Sequence, residues 1–294
     1  MSEINSVKNV RDFLVSQASA GQFAAVLGRP IKQSLSPLIH NAAFRHHQLP
    51  VIYYAIQVQE DELESISDLF RHPNFVGANV TLPLKNDVIR FLDETTELVS
   101  ETKACNTVSK STSGKIIGDN TDVYGFKSPL IPLRDKLIGK DAIVFGSGGA
   151  ARAVIKGLSQ LGINGVYVVS RNPGSISEVG VQPVGYSSWV DVADNVGIFV
   201  NASPLGMFPN ISESPVLPDQ VSYLRGKICY DLIYRPSPTQ FLMDAAHVNA
   251  IIIDGVEMFV GQASRAFERF TNLDFPEDIA RKLVRTYLDE ERKA

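Results

Sequence analysis

Cysteine is almost missing from this chain: among 294 residues there are two, Cys105 and Cys229. Two thiols so far apart supply neither a zinc nor an iron–sulfur ligand spacing and cannot build a disulfide framework. No metal is therefore expected. The thiols read as small buried hydrophobes of a protein in a reducing compartment, the cytoplasm. No apolar run approaches the ~18 residues that a bilayer span requires, which argues against a membrane protein. Neither sign of charge dominates: 28 Lys and Arg face 32 Asp and Glu for a net charge of −4, and no basic block occurs. Nucleic acid is thus not an expected partner, and any anionic ligand must be met by local groups. Residues 1–22 lack the continuous apolar stretch of a secretory leader and include Glu3 and Asp12. Internal repeats, low-complexity tracts and heptad runs are also absent.

What is present is enough chain for two cores. Length favours two domains, and 44% hydrophobic residues are ordinary for a globular protein. Ile4, Val7, Val10, Phe13 and Leu14 recur at helical spacing, which predicts an amphipathic N-terminal helix over part of residues 1–22. Strands are predicted at Phe23 to Leu27, Ile52 to Val58 and Val76 to Val80, with helices from Ser36 to about His47, from Glu60 to Arg71 and near Leu84 to Leu92. Asn106 to Ser109 and Lys115 to Gly118 form a hairpin pattern around Ser113-Gly114. Further strands are expected at Ala142 to Phe145, Gly165 to Val169, Val196 to Val200, Ile228 to Leu232 and Ile251 to Asp254, and a last helix at Pro276 to Glu291. Alternation of this kind specifies an α/β fold with mostly parallel, doubly wound sheets and ligands at the C-terminal strand ends. Prolines and charges around Ile131 to Lys140 mark a domain boundary. The expected division is an N-terminal extension (1–22), a substrate-binding catalytic domain (23–133), a Rossmann-type dinucleotide domain (134–254) and C-terminal helices returning to the substrate domain (255–294).

Several residue groups carry chemistry, each beside a plainer explanation. Ser34 and Ser36, next to free amides at a helix start, suit a carboxylate, while Ser36 followed by Pro37 is equally an N-cap signal, and capping takes the larger share. Asn79-Val80-Thr81-Leu82-Pro83-Leu84-Lys85 carries an amide, a hydroxyl and a lysine past a strand end; taken alone, Lys85 is an ordinary surface charge. Asp122 could cap a helix, and Asp119 could form an Asx turn. Gly146-Ser147-Gly148-Gly149-Ala150-Ala151, between a strand and a helix, is a dinucleotide fingerprint in which glycines admit a pyrophosphate at a helix N-terminus. At the end of the next strand stands Ser170-Arg171 rather than a carboxylate, with none before Glu178. That favours NADP over NAD, since a guanidinium binds the 2′-phosphate. An exposed loop arginine is the plainer alternative.

Taken in order, these pieces resemble the shikimate dehydrogenase family from about Phe23 onward. They comprise Ser34-Leu35-Ser36-Pro37 with His40-Asn41, Asn79 to Lys85, Asn106-Thr107, Asn120-Thr121-Asp122 with Gly125-Phe126, Gly146 to Ala151, Asn201 to Met207, Asp231 to Tyr234, and Gln262-Ala263. The resemblance implies NADP-dependent, reversible reduction of 3-dehydroshikimate to shikimate. It implies Lys85 and Asp122 as the catalytic pair, and Ser34, Ser36 and Tyr234 at the substrate carboxylate. Thr81, Asn106, Asp122 and Gln262 would bind the ring hydroxyls. Gly146, Ser147, Gly148, Gly149, Ala150, Ala151, Ser170, Arg171, Leu232 and Gly255 would contact the cofactor. A monomer or homodimer with a small-molecule substrate is expected.

Three positions depart from the family pattern: Ser170 where asparagine is usual, with no second basic residue soon after Arg171; Cys105 before Asn106; and Asn272 where glycine often stands. The first leaves weaker use of NAD open. A quinate or dual quinate/shikimate dehydrogenase would share these motifs. A non-catalytic ligand sensor of the same family is disfavoured because Lys85 and Asp122 are both present.

Overall fold

The computed structural model describes residues 8–176 and 180–293. They form two compact units, the first ending at Thr121 and regaining Gln262–Tyr287, the second comprising Asp122–Gly261 and the residues from Leu288 onward. The chain thus enters the second unit at Asp122, ahead of the stretch that composition marks at 131–140. Phe126 stacks on Tyr230 at 5.1 Å, and Ser128–Lys136 is a 3-10 helix of that same unit.

The first unit contains β1 (Lys8–Asn9), α1 (Val10–Ser16), β2 (Gln22–Gly28), α2 (Ser36–His46), β3 (Val51–Gln57), α3 (Ser65–Arg71), β4 (Phe75–Val80), β5 (Glu94–Thr95), α4 (Glu97–Thr102), β6 (Thr107–Lys110) and β7 (Ile116–Asp119). The strands make one sheet in the order β1-β3-β2-β4-β6-β7-β5. It is mostly parallel; only the pairings of β6 with β4 and β7 are antiparallel. Phe13, Phe23, Phe70 and Phe75 pack together at its centre with Ala78 and Val80. A fully buried phenylalanine contributes about 1.5–3 kcal/mol, so this cluster anchors β2 and β4 and fixes where their C-terminal ends fall.

Three helical expectations are corrected. The N-terminal helix covers Val10–Ser16, and its backbone enters from a short strand, β1, paired to Ile56 and Gln57; Ile4 and Val7 lie outside the described residues. The segment Glu60 to Arg71 is split into a 3-10 turn, Glu60–Glu62, and α3. The buried Glu62 carboxylate accepts from the Gln59 and Arg11 amides, each at 3.1 Å, and so ties the turn to α1 rather than to a continuous helix. The segment at Leu84 to Leu92 is 3-10 over Asp87–Phe91. Its buried residues Val88 and Phe91 are three apart, a spacing that both helix types satisfy.

The second unit contains α5 (Asp122–Lys127), β8 (Asp141–Phe145), α6 (Gly149–Leu161), β9 (Val166–Val169), β10 (Val181–Val184), β11 (Val196–Asn201), β12 (Ile228–Asp231), α7 (Gln240–His247) and β13 (Ile251–Ile253). All pairings in its sheet are parallel, in the order β10-β9-β8-β11-β12-β13. Numbered within the sheet this is the 3-2-1-4-5-6 order of dinucleotide-binding folds, which reverses direction between β8 and β11. Glu178 lies outside the described residues.

Two helices complete the chain. In α8 (Gly255–Thr271), the residues from Gln262 belong to the first unit, and α9 (Glu277–Lys293) follows. The ring of Phe270 occupies the space beside β4 that a side chain at Gly77 would fill; an added Cβ would lie 2.2 Å from it. Asn272 ends α8 with φ +57°. Asparagine is one of the few residues besides glycine that adopt this left-handed conformation readily, so the departure at this position keeps the backbone geometry.

Candidate active site

In the first unit, the ends of three strands and the start of one helix converge through hydrogen bonds. Gly28 closes β2 against Thr81: a Cβ there would be 2.4 Å from the Thr81 methyl. The Thr81 amide donates to the Leu27 carbonyl at 2.8 Å, so the β2–β4 pairing continues through Thr81. The chain then turns, and the Lys85 carbonyl accepts from the Cys105 amide at 2.8 Å. Lys85 is thereby tied to the residue preceding Asn106, just ahead of β6.

Beneath these residues runs a buried polar chain. The Asn41 side chain holds the Tyr53 backbone on both sides, at 2.9 Å each. The Tyr53 phenol donates to Asn79 Oδ1 at 2.7 Å. Asn79 Nδ2 donates to Thr107 Oγ1 at 3.2 Å, and the Thr107 and Thr121 hydroxyls bond each other at 2.8 Å. Asn106 Oδ1 accepts from the Thr121 amide at 2.7 Å and lies 3.0 Å from the Thr107 hydroxyl and 3.2 Å from the Thr121 hydroxyl; with two protons for three contacts, one hydroxyl donates to the other and the second donates to Asn106. Buried polar groups must be bonded to avoid a desolvation cost of about 1–3 kcal/mol each, and this chain orients the Asn106 side chain.

The geometry at Ser36 overturns its reading as an N-cap. Leu35 is the capping residue and makes no side-chain bond; Ser36 is the first residue of α2. Ser34 Oγ accepts from the Ser36 amide at 3.3 Å and performs the turn-closing role instead. Asp119 likewise departs from a simple Asx turn. Its carboxylate accepts from the Asn120 amide and the Thr96 hydroxyl, each at 2.8 Å, and pairs with Arg269 of α8 at 2.8 Å. The pair fixes the approach of the chain to Thr121. Gln262 lies on α8 five residues before Phe267, whose ring packs against those of Phe44 and His40 on α2.

Burial sets the remaining electrostatics of this unit. His40 is stacked on Tyr53 at 4.4 Å, neither ring nitrogen has a hydrogen-bond partner among the described residues, and burial pulls its pKa down to about 3. Burial pushes the Cys105 thiol up to about 12, which makes it inert. The same cause raises Cys229 to about 12 and the Tyr53 phenol above its ordinary value.

In the second unit, the loops at the C-terminal ends of β8, β11, β12 and β13 gather at the switch in strand order. Gly146 has φ +103°, and a Cβ there would sit 2.9 Å from the Ala202 carbonyl oxygen, so the β8 and β11 ends approach as closely as a glycine allows. Gly148 and Gly149 differ: an added Cβ would meet nothing within 4 Å, and no side chain caps α6. Glycine at these two positions is not required by the protein's own packing. It leaves open space over uncapped helix amides, which suits a pyrophosphate.

Gly255 opens α8 rather than merely ending β13, and a Cβ there would be 2.4 Å from the Leu232 carbonyl oxygen. At the end of β9, Ser170 Oγ accepts from the Asn172 amide at 3.2 Å and Arg171 is exposed. Ala150, Ala151 and Ser147 complete the turn into α6. Asp122 begins α5, and Tyr234 follows β12, its ring stacked on Phe259 at 4.8 Å. Burial raises the Tyr234 phenol, which stays a neutral donor.

The family model for the shikimate dehydrogenase substrate binding domain matches residues 26–108, and that for the shikimate 5'-dehydrogenase C-terminal domain matches residues 255–285. The chain is 36% identical to a shikimate dehydrogenase (NADP(+)) from Nostoc sp. over 277 residues, covering 90% of this chain and 96% of that protein. It belongs to the shikimate dehydrogenase family. Among solved structures, the Thermus thermophilus shikimate 5-dehydrogenase in complex with NADP(H) and shikimate superposes with a TM-score of 0.78 at 30% identity, over 90% of this chain and 99% of that one. The Corynebacterium glutamicum quinate dehydrogenase in complex with NAD gives 0.81 at 25% identity, over 90% and 99%.

Within the first unit the structure bonds Ser34 to Ser36, continues the β2–β4 pairing through Thr81 and ties Lys85 to the residue before Asn106, while Gln262 stands on the helix packed over β4 and α2. Asp122 and Tyr234 belong to the second unit, as do all the cofactor positions. Sequence reasoning assigned no role to Tyr53, Thr107 or Thr121. Their only signal is a polar group in a strand or strand end where neighbours are apolar, which is a weak one.

Proposed function

We propose that this protein catalyses the NADP-dependent, reversible reduction of 3-dehydroshikimate to shikimate, a cytoplasmic step towards chorismate and the aromatic amino acids. The observation that carries this is the joint presence, in a member of this family, of Lys85 and Asp122 with the open glycine turn at the sheet's switch point. In this reading the first unit binds substrate and the second binds cofactor. Ser34, Ser36 and Tyr234 hold the substrate carboxylate by hydroxyl and backbone donors, and Thr81, Asn106, Asp122 and Gln262 hold the ring hydroxyls.

When bound, NADPH supplies the hydride to the ketone carbon. Lys85 stabilises the charge growing on the ketone oxygen and gives it a proton; in the reverse direction it takes that proton back. Asp122 completes the acid–base pair. Gly146 to Ala151 receive the pyrophosphate, and Arg171 with Ser170 faces the 2′-phosphate, with no carboxylate at the β9 end to favour NAD. Leu232 and Gly255 line the remaining cofactor contacts. The substrate is a small molecule, and the active species is a monomer or homodimer.

Initial rates with shikimate and quinate, each with NADP and NAD, test the proposal. Shikimate with NADP is expected to give the highest kcat/KM. A higher value with quinate and NAD would assign the chain to the activity named for the Corynebacterium protein. No rate in any combination would make it a ligand sensor.

A further inference from the structure

Asp231, at the end of β12, is completely buried and forms no ion pair among the described residues. Its carboxylate accepts three hydrogen bonds: from the Thr239 hydroxyl at 2.6 Å, the Ile233 amide at 2.9 Å and Asn201 Nδ2 at 3.0 Å. Thr239 in turn caps α7, accepting from the Leu242 amide at 3.4 Å. Each bond reaches a different segment. Ile233 starts the loop after β12, Thr239 opens α7, and Asn201 closes β11.

Asn201, also completely buried, passes the restraint on. Its Oδ1 accepts from the Ser203 hydroxyl at 2.7 Å and the Ser203 amide at 3.1 Å, and its Nδ2 also donates to the Leu205 carbonyl at 3.0 Å. Between these fixed points lies Ala202, whose carbonyl is what Gly146 makes room for. On the other side of Asp231, Leu232 presents the carbonyl against which Gly255 is packed. One carboxylate therefore sets the backbone at both places where the cofactor-facing loops touch.

We propose that Asp231 is a positioning residue for cofactor binding, acting through Asn201 and the Leu232 backbone to hold the strand-end loops around Gly146 and Gly255. The inference rests on the cofactor site assigned above. An acceptor with three converging donors cannot be replaced by an amide without turning an N–H towards another donor. Burial with no cation nearby raises the Asp231 pKa to about 6, so near neutral pH it is ionised and accepts all three bonds. A purely scaffolding carboxylate would affect stability alone; a positioning one moves the two substrates' kinetics unequally.

The test is Asp231→Asn in the full chain, with initial rates measured while NADP and shikimate are varied in turn. KM for NADP is expected to rise about tenfold, the loss of one charge-assisted bond, with KM for shikimate within about twofold. An unchanged KM for NADP, or an equal rise in both constants, overturns the proposal. Should Asp231→Asn not fold, Thr239→Val and Thr239→Ser decide: valine should raise KM for NADP and serine should restore it. If serine fails to restore it, or if valine acts equally on both constants, the role is refuted. Gly148→Ala separates the two layers of inference. If it leaves KM for NADP unchanged, the cofactor site itself is misassigned; if it raises KM while Asp231→Asn does not, only the positioning role fails.

Discussion

Gly146 and Gly148 stand two residues apart in one turn, and the structure crowds the first and leaves the second open. At Gly146 an alanine would adopt φ +103° and place its methyl carbon 2.9 Å from the Ala202 carbonyl oxygen and 3.0 Å from the Ser203 nitrogen. Both obstacles are backbone held by the Asn201 bonds, so neither can swing aside. Conformational strain and overpacking together cost about 3 kcal/mol. For a unit of this size that lowers the thermal midpoint by roughly 6–12 °C. At Gly148 the backbone is at φ −80° and ψ −173°, an extended conformation open to alanine, and nothing lies within 4 Å of the added carbon. The loss of a glycine N-cap, up to about 1 kcal/mol, is offset by the lower entropy of the unfolded chain, about 0.4–1 kcal/mol. Stability should stay nearly constant. The methyl group would instead occupy the space assigned to the pyrophosphate, and KM for NADP should rise at least about tenfold. Scanning calorimetry of both variants, with initial rates at varied NADP, checks the contrast. Equal losses of stability, or a Gly148→Ala enzyme with wild-type KM for NADP, would refute the assignment of one glycine to the fold and the other to the ligand.

Two other outcomes are expected. Lys85→Ala should lower kcat by about a hundredfold or more while calorimetric affinity for shikimate changes little; a fall in turnover under about tenfold would exclude Lys85 as the proton donor. His40→Phe should become relatively more stable in acid. The folded His40 has a pKa of about 3, below the unfolded value of 6.5, so the unfolded state binds the extra proton and wild-type stability is lost as pH falls through that window. Between pH 7.5 and pH 5 the variant should gain about 2 kcal/mol on the wild type in urea unfolding. Asp231, raised to about 6, acts in the opposite sense but is common to both proteins. An identical difference at the two pH values would mean that His40 is not held neutral.

The inner parallel strands of both sheets were legible because each is a short apolar run bounded by turn residues, and burial on both faces demands such runs. The strand–glycine–helix unit at Gly146 was legible for the further reason that few other structures need its residues in that order. Three short strands escaped. Lys8–Asn9 and Glu94–Thr95 have two residues each, and Val181–Val184 carries Pro183, a residue confined to sheet edges. They lack periodicity because an edge strand buries little. The split at Leu63 was hidden for a different reason: Glu62 binds amides of Gln59 and Arg11, and the second of these is 51 residues away, beyond any local pattern.

The residues assigned to the ligand were chosen by type and order, and the sequence does not set their polarity. An asparagine offers either a donor or an acceptor, and nothing in the sequence chooses between them. Here the choice is made by Thr107 and Thr121: the Thr121 amide and one of the two hydroxyls donate to Asn106 Oδ1. The same logic reaches Asn79, whose nitrogen is committed to Thr107 and to the Asn106 carbonyl, so that its oxygen is the atom facing Tyr53. Tyr53 has one proton and gives it to Asn79. The side-chain orientations of Asn79 and Asn106 are therefore set by Tyr53, Thr107 and Thr121, residues whose partners lie up to 28 positions away in the chain.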